Sequence, residues 1–168
     1  MIILFTSQEY IEKFSPVGKL VSWDEIEPTA YLVQDNWTQD MLGTNFYVYL
    51  QQQYQAQTLT PDEIILVNKI KAAQVHRIAE QCTPFINYQL KNKGLMKQSG
   101  DYAESSDLDE VRYIRAELRN RAEFYEQRVL TYLCENSNLY PQYTSNNSDD
   151  MKPNQSNNGY DLGGLDII

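Results

Sequence analysis

His76, Cys82 and Cys134 are the side chains in this 168-residue chain best suited to chemistry near neutral pH. An imidazole can move a proton and a thiolate can attack a carbonyl, but each needs a partner to activate it. His76 is the only histidine, so no second imidazole exists to share a metal, and no CxxC or HExxH spacing occurs. At helical spacing it shares a face with Lys69, Ala72 and Glu80, which predicts a solvated histidine one turn from a carboxylate. Cys82 and Cys134 fall inside helical patterns, so both are expected buried and reduced, with no disulfide framework. The acidic residues fall on solvent faces and in first turns, not as an isolated pair against apolar neighbours. "LGGLDII" lacks the spaced glycines and the lysine of a phosphate loop. No catalytic residue, metal or cofactor is expected, and the chain does not read as an enzyme.

Arg112, Arg115 and Arg119 step along one helical face and could form a phosphate-facing ridge. Glu117 precedes Arg121 by four and Arg119 precedes Glu123 by four, so the expectation is a face laced with pairs inside one helix. The whole chain carries a formal charge of −9 and a pI near 4.6. No region concentrates the positive field that tight nucleic-acid binding requires. An acidic wall along which DNA slides without sticking remains compatible with that balance. No run approaches the roughly 18 apolar residues of a membrane span, and "MIILFTSQEY" lacks a basic flank, so a chain in the cytoplasm is expected. Tyrosine is abundant, 13 against 5 Phe and 2 Trp. Its apolar body and polar tip suit surfaces covered only when a partner arrives.

The elements that would hold these residues read as helices. Thr6 and Glu9 have capping-box spacing before a short helix that should stop ahead of Pro16. Ser22 and Glu25 repeat the box, but Pro28 suits a first turn, so the second helix is placed from Glu27 or Pro28 to Met41 or Leu42, with Gly43 as its left-handed stop. Thr44 then caps an aromatic helix running to about Gln57. "TPDE" at 60–63 is the clearest start: Thr60 caps, Pro61 opens the helix and Glu63 reaches back. Ile64, Val67, Val75, Ile78 and Cys82 form the stripe that follows, flanked by Leu66, Ile70 and Ala73. Pro84 should kink this helix and Gly94 end it, with a polar loop over 95–105. The last helix starts at Ser105 or Ser106, ends near Cys134, and carries Val111, Ile114, Leu118, Ala122, Tyr125, Val129 and Tyr132 in threes and fours. The fold class is all-α, four to five helices with two long spine helices, plus an extended C-terminal tail.

The body is bounded at residues 1–143. Residues 144–168 are too polar to order themselves and read as a flexible tail. Its tip turns apolar again at Tyr160, Leu162, Leu165, Ile167 and Ile168, around Gly163 and Gly164. Those seven residues are expected to dock on a partner, as a short strand on a long tether.

The stretches "IEPTAYLVQDNWTQDMLGTNFYVYL", "LTPDEIILVNKIKAAQVHRIAEQCTPFINYQL" and "RNRAEFYEQRVLTYLCENSNLYPQY" together resemble the head–tail connector, or adaptor, proteins of tailed bacteriophages, the crAss-like type in particular. The resemblance covers about residues 3–143 and leaves the tail unmatched. It rests on the "MLG" stop at 41–43, Thr83-Pro84-Phe85, and the "AEFYE…YLCENS…LYPQY" ending, none of which is catalytic. What it implies is a structural virion protein: a homo-oligomeric ring, commonly twelve copies, beneath the portal protein. Such a ring offers the next tail or neck protein a docking surface and lines the exit channel for passing DNA without binding it specifically. It would be made in the host cytoplasm and reside at the neck of the virion. Two other classes fit the residues: a helical, antitoxin-like binding module whose tail folds on a partner, and a small helical enzyme using Cys82 or Cys134.

Overall fold

The structure, a computed structural model, describes residues 4–17, 21–91, 94–97, 108–145 and 150–153. Helix α1 (Gln8–Phe14) stops before Pro16, as its sequence requires. Its cap is not the expected Thr6 but Ser7, whose Oγ accepts from the Tyr10 N–H. Thr6 is drawn into the core instead, where a buried glutamine competes for its hydroxyl.

The second helix begins earlier than Pro28 suggests. Helix α2 spans Trp23–Leu32, with Pro28 inside it. The proline removes only the donor for the Asp24 carbonyl, and Asp24 sits exposed in the first turn, where water can replace it. Val33–Thr38 then widens into a π-helical stretch that runs into α3 (Gln39–Leu42). Gly43 ends the run with φ 74° and ψ 150°, a conformation open essentially to glycine.

Helix α4 (Thr44–Ala56) closes with Gln57 in the left-handed region and a Thr58 N–H bonded back to the Gln53 carbonyl. Helix α5 (Pro61–Asn87) opens with the complete capping box: the Thr60 N–H donates to Glu63 Oε2 at 2.8 Å, and the Glu63 N–H to Thr60 Oγ1 at 3.3 Å. Pro84 lies within it, but the helix ends at Asn87 rather than Gly94. There the chain forms a two-stranded antiparallel hairpin, β1 (Tyr88–Lys91) with β2 (Gly94–Lys97), Leu90 facing Leu95 in register. That hairpin replaces the end of the expected helix and the start of the expected loop. Helix α6 (Leu108–Glu135) returns along α5, and a 3-10 turn (Ser137–Leu139) leads into α7 (Pro141–Thr144). The body is all-α, built on the α5–α6 spine, with the hairpin as a small appendage.

Two adjacent cores share that spine. The first half of α5 (Leu66, Val67, Ile70, Ala73) packs with α3, α4, the far half of α6 and the buried Tyr140 and Tyr143. The second half (Val75, Ile78, Ala79, Cys82) packs with α1, α2 and Leu118. Trp37 touches both. Ile64 and Ile114 depart from the expected stripes and are exposed, whereas Leu130 and Leu133, outside the expected α6 stripe, are buried. Between the cores lies a closed polar network. The Thr6 hydroxyl donates to Gln74 Oε1 at 2.6 Å, Gln74 Nε2 donates to Thr38 Oγ1 at 2.7 Å, and the Phe5 N–H donates to Gln34 Oε1 at 2.7 Å. Each of these side chains is fully enclosed, so the bonds fix the N-terminal segment against α5 and the π-helical turn.

Among the described residues, contacts with the body continue beyond Tyr143. Gly43 offers α4 no side-chain cap, and Asp150 and Met151 fill that role. Asp150 Oδ2 accepts from Thr44 Oγ1 at 2.9 Å and from Gln39 Nε2 at 3.2 Å. The Thr44 N–H donates to the Met151 carbonyl at 3.0 Å, and the Met151 N–H to Thr44 Oγ1 at 3.2 Å. A carboxylate at a helix N-terminus also meets the positive end of its dipole.

Candidate interaction surface

The groups singled out for chemistry are dispersed. His76 is half-buried rather than freely solvated: its ring stacks on Tyr125 of α6, centroids 5.0 Å apart, and its Nδ1 is buried without a hydrogen-bond partner. Desolvation first, then the Arg121 charge, lowers its pKa from the ordinary value, which favours the neutral ring. Cys82 is buried and burial raises its pKa, the opposite of what a nucleophilic thiol needs. Cys134 is half-buried on α6. No group of three metal-ligating side chains occurs among the described residues.

The arginine face is organised differently from the expected intrahelical pairs. Glu80 is buried in the seam, 2% exposed, and accepts from Arg115 Nε at 2.8 Å and Arg119 at 3.2 Å, both reaching across from α6. Arg77, one turn earlier on α5, stands 3.6 Å from the same carboxylate and 3.4 Å from Glu126. Its guanidinium also lies over the Trp37 ring, 5.3 Å from the centroid. Arg112 keeps to its own helix, pairing with Asp109 in solvent. Two arginines of the supposed ridge are thus committed to a buried carboxylate. A signal for this lay in the sequence: Glu80 follows Leu66, Ile70 and Ala73 at core spacing, so it had to be buried and paired.

On the other side of the seam, α5 and α6 leave an open groove. A cavity of about 330 Å³ is lined by Ile65, Asn68, Lys69, Ala72, Tyr125 and Arg128. It continues past Phe124 toward His76 and Arg121 in one direction and Tyr132 in the other. Lys69 Nζ sits 4.8 Å from the Tyr132 ring centroid, and Arg128 lies 5.7 Å from Tyr125 and 5.9 Å from Phe124. Cations held over aromatic faces keep their charge toward solvent while their stems cover apolar surface. Phe124 is 61% exposed and Ile65 47%, and farther along α6 Tyr113 is 70% exposed beside Ile114. These side chains lie on the long helices yet face away from both cores. The expected docking residues Tyr160, Leu162, Gly163, Gly164, Leu165, Ile167 and Ile168 lie outside the described residues.

No helix among the described residues is long and apolar enough to cross a membrane. No curated protein and no solved structure matches the chain. Residues 38–152, from the end of the π-helical turn to the strap on Thr44, match a family of unknown function (DUF6712), and the chain belongs to that family.

Proposed function

We propose that the chain is a structural subunit of a phage head–tail connector, assembling as a ring beneath the portal protein. The observation that carries this reading is the apolar and aromatic surface left open on the two long helices: Ile64 and Ile65 on α5, Tyr113, Ile114 and Phe124 on α6. Exposed apolar side chains in contiguous sets mark surfaces that a partner covers, and a ring subunit must cover two lateral faces at once. The resemblance of three long stretches to connector proteins supports the same reading. So does the internal use of the arginines: with Arg115 and Arg119 bound to Glu80, an acidic chain has little left to hold DNA. In this role the ring receives the next neck protein below and lets DNA pass without specific contact.

Negative-stain electron microscopy of the purified protein, alone and mixed with a candidate portal, tests the proposal. Closed rings, formed alone or on the portal, are expected. A protein that remains monomeric with portal present, or that pairs one-to-one with a toxin-like partner, overturns it.

A further inference from the structure

We infer that the α5–α6 groove is the seat for the segment Tyr160–Ile168 of a second copy of this chain. The central stretch of the groove combines Lys69 and Arg128 with Ile65, Ala72 and the Tyr125 face and no acidic side chain lines it, while Glu117 and Glu135 lie toward its two ends. In a chain of charge −9 this is an uncommon surface, and it calls for an occupant that is acidic and apolar together. The segment Tyr160–Ile168 has that chemistry. Asp161 and Asp166 alternate with Tyr160, Leu162, Leu165, Ile167 and Ile168, and no lysine or arginine occurs among them. Gly163 and Gly164 would let its backbone approach the Tyr125 ring where a Cβ would not fit.

The last contact among the described residues is the Asp150–Met151 strap on Thr44, and the 6 residues Asn154–Gly159 would span about 20 Å fully extended at 3.3–3.6 Å each. The groove's rim favours a neighbour as the source. Phe124 and Ile65 stand out beyond what a narrow strand covers, and the body of a second copy arriving with its segment would cover both. The inference deepens the ring reading and rests on it, since adjacent copies must hold this spacing.

Photo-crosslinking in the full chain tests it. A benzophenone amino acid at Tyr160, in a mixture of light and heavy isotope-labelled protein, should yield crosslinks to the peptides containing Ile65, Lys69 or Tyr125. Those crosslinks should join a light chain to a heavy one. Lys69→Glu with Arg128→Glu should lower the yield at least tenfold with the helical signal unchanged, and adding Asp161→Lys with Asp166→Lys should restore it. Crosslinks confined to single chains, crosslinks to another surface, or a yield indifferent to all four substitutions would overturn the inference. Rings seen by microscopy without groove crosslinks sink the segment's role and leave the ring standing.

Discussion

Arg115 on α6 donates its Nε–H to Glu80 Oε1 on α5 at 2.8 Å, and the two residues differ sharply in exposure: the glutamate side chain is 3% exposed, the arginine 43%. The asymmetry says where the energy lies. Glu80 has been stripped of water and depends on its three arginines, whereas Arg115 and Arg119 keep a solvated alternative. Glu80→Gln should therefore cost about 1–3 kcal/mol in urea unfolding, while Arg115→Ala or Arg119→Ala alone costs about 0.2–1 kcal/mol. Equal losses at the two ends of the bond would show that the carboxylate is hydrated after all.

The packed and open faces of the long helices should respond oppositely to truncation. Ile78→Ala and Leu118→Ala each remove a buried side chain and should destabilise by about 2–5 kcal/mol. Phe124→Ala and Tyr113→Ala should leave the unfolding midpoint within about 0.5 kcal/mol of wild type and act on self-association instead, measured by light scattering.

Where the folded body stops is decided by the strap on α4. A chain ending after Pro153 should melt like the full chain, whereas Asp150→Ala should lose about 0.5–2 kcal/mol, the range for a removed helix cap. If ending the chain at Tyr143 leaves the midpoint unchanged, the strap contributes nothing and the earlier boundary is the right one.

Tyr143 gives a test at high pH. Burial raises its phenol to about 12, and its hydroxyl is buried with no hydrogen-bond partner. The unfolded phenol ionises near its usual 10. Below that pH the residue's contribution is whole, and it is lost as pH rises from 10 through about 12. Tyr143→Phe should be neutral or stabilising at pH 7, since it removes an orphaned polar group, and should flatten the alkaline decline. A variant that is less stable at pH 7 would mean the hydroxyl has a partner after all.

Much of the fold could be read from local signals. Thr60-Pro61-Asp62-Glu63 begins α5 as its spacing requires, Gly43 ends the helical run before α4, and α6 buries Val111, Leu118, Ala122 and Val129 of its apolar steps. What escaped was decided by partners distant in sequence. Thr6 could cap a helix, but Gln74 offers it a bond in the core; Pro28 looked like a start because only the folded protein leaves the Asp24 carbonyl in water. The groove on α5 and α6 belongs to the same kind. Periodicity assigned Ile64 and Ile114 inward, and only the crossing of the two helices determines which neighbours of those stripes stay open.

The π-helical turn at Val33–Thr38 changes how length variation should be read in this family. Up to its first residue Ile26, Ala30 and Val33 face one core; after it Met41 and Leu42 face the other. A π turn amounts to one extra residue in an α-helix, and each α-helical residue turns the chain by about 100°. Deleting a single residue from Val33 to Thr38 would let the stretch close to ordinary α-helical bonds over the same rotation, so Gly43 and the start of α4 would keep their partners. An aligned relative with a one-residue gap here would keep the angle between its two halves and lose only the wide turn.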